Sequence, residues 1–363
     1  MRNTTLTEIA ITRTHVLARV KVVITGGAGF IGSNLAHYWA RTHKADQLVV
    51  LDALIYSGHR ESLADLEKEG RVAFVRGDVT DPRAVTEALR DTELVLHLAA
   101  ESHNDRAIED PLPFVRTNVV GTAVLLEAAR KVDLPRFHHV STDEVFGSLP
   151  LEGNALFTLN TAYQPRSPYA ASKAAGDHLV RAWSETYGMD VTISNCGNNY
   201  GPFQHPEKLI PLAITRLLRD EPVPVYGDGR NVRDWIYVED HCAAIDLVAH
   251  RGRTGATYLV SAQAERSNNE VVKQLLKILE KDASLMVYVK DRPGHDRRYS
   301  LDSSVLRTEL GWRPRVGFEE GLQRTVEWYR SNESWWLPIL GRNASLPSTE
   351  SGGAGARGRP RSR

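Results

Sequence analysis

The chain is predicted to be a doubly wound α/β protein, a parallel sheet with helices on both faces joined to a smaller α/β substrate-binding lobe. Three observations predict it. Short apolar runs alternate with helical periodicity as far as about residue 195. The first run feeds a glycine-rich turn that opens a helix. After about Cys196 the pattern gives way to loops rich in Asn, Pro, Gly and Tyr, with helical periodicity at 208–218, 238–250 and 269–279.

The first apolar run, 20–25, leads into Thr25-Gly26-Gly27-Ala28-Gly29-Phe30-Ile31-Gly32, and a helical pattern starts at Ser33. A strand, a glycine turn and a helix start are what a dinucleotide pyrophosphate needs. Gly29 lets the backbone approach closely, Gly32 lets helix and strand pack, and N–H groups around Gly26, Phe30 and Ile31 face the anionic oxygens. The spacing is G-x-x-G-x-x-G rather than G-x-G-x-x-G, so the run at 48–51 matters. It ends at Asp52, about twenty residues on, where a carboxylate can accept from both adenosine ribose hydroxyls. That carboxylate repels a 2′-phosphate, which selects NAD over NADP. The run 72–75 closes at Gly77, Asp78 and Val79, and 94–98 closes at Leu98, Ala99 and Ala100, both at strand ends where loops meet a ligand. The runs 137–140 and 191–194 complete the sheet, and Asn195, next after the last of them, joins the cofactor set. The expected organisation is an extension (1–18), an NAD-binding Rossmann domain carrying the catalytic residues (19–195), a nucleotide-sugar lobe (196–341) free to interleave with it, and a disordered basic tail (342–363).

Composition narrows the function classes. Lys plus Arg equals Asp plus Glu at 45 each, so no global field marks a nucleic-acid partner. Cys196 and Cys242 are the only cysteines, which gives neither a disulfide framework nor metal-site spacing. No metal is expected. The first eighteen residues lack a sustained apolar core and no stretch is long enough to span a bilayer, so no membrane association and a reducing cytoplasm are expected.

The chemistry sits in two stretches. Ser141-Thr142-Asp143-Glu144-Val145 follows the fifth run and supplies adjacent carboxylates. Because successive strand residues point to opposite faces, they converge only if the backbone leaves the strand there. Tyr169 and Lys173 stand four apart in a helix opened by Pro168, so phenol and ammonium share a face. A nearby ammonium, helped by a positive nicotinamide ring, is expected to pull the phenol down toward neutrality, making Tyr169 a general base for alcohol oxidation.

Y-x-x-x-K with this glycine turn resembles the extended short-chain dehydrogenase/reductase family, from Val20 to about Trp336. Within it, Ser-Thr-Asp-Glu-Val is similar to the nucleotide-sugar 4,6-dehydratases, above all those acting on dTDP-glucose. Further matching stretches are 99–103, 195–202, 206–211, 227–235 and 291–296. The resemblance implies oxidation at C4, loss of water across C5 and C6, and hydride return to C6. It assigns the C5 base to Glu144, the acid to Asp143 and a hydrogen bond to the C4 oxygen to Thr142. It places the diphosphate against Arg233 and Arg292, with Asn198 in a loop beside them and Lys208 and Leu209 along the nucleotide. Pro224, Tyr226, Asn268 and His295 fall in its nucleobase and ribose region, and Ser102 near the hexose. It also implies a homodimer, paired through helices at 112–131 and 168–187, with Leu125, Ala128 and Trp183 either at the seam or in the core.

Several residues depart from the family pattern. Asn104 and Ala107 stand where relatives usually carry an aliphatic residue and a Ser, Gly197 replaces a Ser, Phe146 a Tyr, and Arg166 a small residue. None removes a catalytic group, but these loops lie near the expected hexose. Another nucleotide hexose such as UDP-glucose therefore stays open. A 4-epimerase or decarboxylase needs Tyr169 and Lys173 without the carboxyl pair.

Overall fold

A computed structural model of the chain describes residues 20–344 except Arg292. The expected extension at 1–18, Arg292 and residues 345–363 of the expected tail lie outside the described residues. The helix Glu333–Ala344 runs into the first residues of that tail. Its buried Trp336 and Ile339 give this segment the apolar anchor that the Ser/Gly/Arg-rich sequence beyond lacks.

The first six strands are β1 (Lys21–Thr25), β2 (Gln47–Asp52), β3 (Val72–Arg76), β4 (Leu94–His97), β5 (Arg136–Thr142) and β6 (Val191–Cys196). They are followed by β7 (Asn198–Tyr200), β8 (Val223–Tyr226), β9 (Val232–Tyr237), β10 (Thr257–Val260), β11 (Glu265–Ser267) and β12 (Met286–Val289). Seven strands form one parallel sheet in the order β10-β6-β5-β4-β1-β2-β3. Side-chain alternation divides each central strand between two cores. Val22, Ile24, Leu48, Val50, Leu94 and Leu96 pack on one face, and Val23, Val49, Leu51 and Val95 on the other. That is why these strands read as unbroken apolar runs.

The order reverses at β1, which pairs with both β2 and β4. The loops leaving β1 and β4 therefore diverge and open a crevice at their C-terminal ends. Thr25 marks the spot: its Oγ1 lies 2.8 Å from His97 Nδ1 and accepts from Leu98 and Ala99 N–H.

The smaller lobe has its own core, where Ile210, Ile214, Val223, Val225, Val271 and Leu275 meet. The helix Val238–Arg251 leaves it and places Cys242 and Ile245 on the first sheet, and β10 then pairs with β6. The two bodies thus interleave, because residues 238–260 return to the large sheet. The 112–131 segment is helical, but Arg116–Gly121 forms a π-helical turn between Leu112–Val115 and Thr122–Lys131. Leu125 and Ala128 face the core, and Trp183 packs on the same cluster. The exposed apolar residues of the 112–131 segment include Leu112, Val115 and Val120.

Candidate active site

The helix after β1 is Phe30–Thr42, three residues earlier than its sequence pattern, because Gly29 takes the N-cap position. Gly26 has φ +69°, and a side chain there would strike the Ala99 backbone at 2.7 Å. A Cβ at Gly32 would overlap the Gly26 carbonyl. On Gly29, by contrast, a Cβ would find only Gly26 O, at 3.2 Å, within 4 Å. That open face, beside a helix start with no side-chain cap, fits a pyrophosphate. Asp52 closes β2 with Oδ1 accepting from Leu54 N–H at 2.8 Å and Oδ2 from Ala28 N–H at 2.9 Å. Burial pushes its carboxyl up, and these two N–H groups oppose the shift.

One cleft gathers Gly26, Gly29, Phe30, Ile31, Gly32 and Asp52. Asp78, Val79, Leu98, Ala99 and Ala100 line it, as do Thr142, Asp143, Glu144, Tyr169 and Lys173. Asn195 is not among the lining residues. It is fully buried in β6, where its Nδ2 donates to Thr142 O and to Asp177 Oδ2, both at 3.1 Å. Its place is beneath the site, holding the end of β5.

The backbone does leave the strand at the carboxyl pair. β5 stops at Thr142, whose Oγ1 accepts from Glu144 N–H at 3.3 Å, and a 3-10 turn carries Asp143–Phe146. The two carboxyls receive unequal surroundings. Asp143 is 2% exposed, and its Oδ2 has no hydrogen-bond partner among the described residues. Burial, reinforced by the Glu144 carboxylate, pushes the Asp143 carboxyl well above the usual carboxylate range, with Arg233 opposing. Glu144 is half-buried and accepts from Asn104 Nδ2 at 2.9 Å. A buried carboxyl held above its ordinary range, beside one that accepts a hydrogen bond, gives the unequal surroundings that elimination of water requires.

Tyr169 follows the Ser167 cap and Pro168 in the helix Pro168–Tyr187. Burial and the Glu144 carboxylate push its phenol well above the ordinary value, opposite to the expected direction. The reason is where the ammonium goes: Lys173 Nζ donates to Val140 O at 2.8 Å, and Asp177 is its main charged partner. Lys173 is itself held below its ordinary value by burial.

The expected substrate residues fall into two groups. Ser102, Asn198 and Lys208 line the cleft, and Lys208 Nζ donates to Ser102 O at 3.0 Å. Asn198 lies on β7, not in a loop, because its backbone pairs with β9. Its buried Oδ1 has no hydrogen-bond partner among the described residues. Leu209, Pro224, Tyr226, Arg233, Asn268 and His295 lie outside the cleft lining. Leu209 packs on the core of the smaller lobe. Tyr226 and His295 meet edge to face at 6.4 Å, and His295 Nδ1 is 2.7 Å from Asp291 Oδ1. Asn268 begins a helix and its N–H donates to Asn231 O. Arg233 is buried on β9, donating to the Val232 and Asp296 carbonyls.

Several features escape the sequence. Ser57 and Gly58, from the loop after Asp52, and Thr117, from the π-helical turn, line the cleft. The Asn104 contact with Glu144 shows in the sequence only as a departure from the family pattern.

The chain matches, over residues 23–325, the family described as GDP-mannose 4,6 dehydratase, and it belongs to that family. It is 51% identical over 321 residues to the dTDP-glucose 4,6-dehydratase of Mycobacterium tuberculosis (strain ATCC 25618 / H37Rv), covering 88% of this chain and 96% of that one. The crystal structure of DesIV, a dTDP-glucose 4,6-dehydratase from Streptomyces venezuelae with NAD and TYD bound, superposes with TM-score 0.86 at 46% identity, covering 88% of this chain and all of that one (100%). UDP-glucose 4-epimerase of Thermus thermophilus, in complex with NAD, has TM-score 0.80 at 32% identity over 86% of this chain and 100% of that one.

Proposed function

We propose that the protein is an NAD-dependent dTDP-glucose 4,6-dehydratase, forming dTDP-4-keto-6-deoxyglucose. The observation that carries this reading is the unequal carboxyl pair, Asp143 buried and Glu144 hydrogen-bonded, in one cleft with Tyr169, Lys173 and the glycine turn. NAD would lie with its pyrophosphate on Gly29–Gly32, its adenosine ribose at Asp52 and its nicotinamide end by Tyr169 and Lys173. There it supplies a hydride acceptor at C4 and a hydride donor at C6, with no net oxidation.

The side chains do the rest. Tyr169 takes the C4 hydroxyl proton while Thr142 donates a hydrogen bond to the same oxygen. Its burial-raised phenol is a poor base alone, so the positive charge of the nicotinamide ring is part of the design. The C4 ketone acidifies C5, and Glu144 removes that proton. Asp143 gives its proton to the C6 hydroxyl, which leaves as water. Glu144 then returns its proton to C5, and the proton held by Tyr169 replaces the one Asp143 lost, so the cycle closes. Lys208 and Asn198 would meet the diphosphate from the cleft lining, and we propose Arg233 and Arg292 as its guanidinium partners and Tyr226 and Asn268 as the nucleoside contacts.

Incubation with dTDP-glucose and with UDP-glucose, read by mass spectrometry for loss of water and by proton NMR for the configuration at C4, tests the reading. Loss of one water from dTDP-glucose supports it. C4 inversion without water loss replaces it with an epimerase. We further propose a homodimer, with exposed Leu112 and Val120 at the seam, tested by sedimentation. No helix among the described residues is long and apolar enough to cross a membrane. With Cys196 and Cys242 free and buried, we place the protein in the cytoplasm.

A further inference from the structure

The short helix Asn104–Glu109 carries both departures nearest the hexose region, Asn104 and Ala107, three apart and so on one face. Both meet catalytic groups. Ala107, fully buried, packs with Phe114 and the Tyr169 ring. Asn104 Nδ2 donates to Glu144 Oε2 at 2.9 Å, and its Oδ1 accepts from Ser167 Oγ at 2.9 Å. Ser167 Oγ accepts in turn from Ala170 N–H at 3.1 Å, capping the helix that carries Tyr169. The amide's orientation is fixed from both ends. A serine oxygen already accepting the capping N–H offers its own proton, so the amide oxygen faces Ser167. The amide NH2 then faces the carboxylate, which when ionised can only accept.

We propose that Asn104 is a positioning residue for the elimination step, tying the Glu144 carboxylate to the N-terminus of the Tyr169 helix and so fixing the base toward C5. The tether links the two proton acceptors of the reaction through one side chain. An aliphatic residue at this position leaves Glu144 to be aimed by its own backbone alone.

The proposal rests on Glu144 being the C5 base, and the experiment separates the two. Single-turnover stopped-flow absorbance of the NAD-loaded enzyme with dTDP-glucose reads the rise of reduced nicotinamide during oxidation and its decay after elimination. Asn104→Leu removes the amide at similar volume. Asn104→Asp keeps the shape and the Ser167 contact but turns an oxygen toward Glu144. Both are expected to leave the rise unchanged and to slow the decay by about 10- to 100-fold, the range of a hydrogen bond to a charged group. Slowed decay with an unchanged rise in Asn104→Asp supports the proposal even if Asn104→Leu folds poorly. Decay within about two-fold of wild type in both variants overturns it, as does an equal slowing of rise and decay. Glu144→Gln in the same assay is the control. If it blocks decay, the base stands whatever Asn104 does; if its decay is normal, the base and the tether both fall.

Discussion

Replacing Asp143 with Asn tests the carboxyl pair most directly, because it swaps one neutral, nearly isosteric group for another. Asp143 is buried beside Glu144, and its carboxyl is pushed well above the usual carboxylate range, so the native side chain holds its proton to a higher pH than an ordinary carboxyl does. Asn keeps the shape and the neutrality but has no proton to give a departing hydroxyl. Loss of a general acid costs about 10²- to 10⁴-fold. At about 1.4 kcal/mol per tenfold this is roughly 3–5 kcal/mol of barrier, all on the elimination step. The C4 oxidation should proceed, so reduced nicotinamide should accumulate and decay slowly in stopped-flow absorbance.

Stability should move the other way. A carboxyl with a raised folded value stabilises fully below its unfolded value, and this contribution falls as pH rises toward the folded value, because only the unfolded chain releases the proton. Asn has no such slope, so the melting temperature of Asp143→Asn should gain on wild type as pH rises above the unfolded carboxyl value of 3.8. Elimination at the wild-type rate, or a stability gap that shrinks with rising pH, would refute the assignment of a buried, protonated acid.

Tyr169→Phe should suppress the oxidation itself, leaving no reduced nicotinamide at any time, and unchanged turnover would remove the phenol from the reaction. Gly32→Ala forces a methyl onto the Gly26 carbonyl, so isothermal titration should show NAD affinity lost or the helix start displaced. Unaltered affinity would contradict the fit of the glycine turn. At the opposite end of that helix, His250 lies 2.8 Å from Asp246 Oδ1, which also meets His43, while Tyr38 donates to Oδ2. The bond to Asp246 leads in raising the His250 imidazole, and Asp46 adds to it against burial. That stability is present below the unfolded value of 6.5 and is lost as pH rises through the higher folded value. His250→Ala should therefore lower the melting temperature more at about pH 5.5 than at about pH 8.5, and a pH-independent difference would exclude the pair.

The sheet was legible because each central strand is buried on both faces, which leaves an unmistakable apolar run such as Val22–Val23–Ile24. The strand-to-helix turn was legible because close backbone approach admits only glycine there. What sequence could not show depends on where long side chains turn. Lys173 is four residues from Tyr169, yet its ammonium points to the Val140 carbonyl, and spacing does not show that burial and the Glu144 carboxylate raise the phenol. Asn195 sits at a strand end like the cofactor contacts, but its amide nitrogen is engaged by Thr142 O and Asp177 Oδ2. Leu125 and Ala128 fit a seam and a core equally well in the sequence for a similar reason: helical periodicity puts them on one face without saying that the sheet lies behind it.

The likeness to an NAD-bound epimerase at TM-score 0.80 shows that the scaffold alone does not choose the reaction. What directs this site to elimination is local to the end of β5. A regular strand would have sent Asp143 and Glu144 to opposite faces; the 3-10 turn after Thr142 keeps both on the cleft. Adjacent carboxyls then repel, and the site breaks the tie by environment: one is buried with a bare oxygen, the other is met by an amide donor. The proposed acid and base thus differ in burial and in a single hydrogen bond, although both are carboxyl groups. It follows that acid–base function should be sensitive to Asn104 and to the packing around Asp143 more than to the nucleotide-binding turn, which serves either reaction equally.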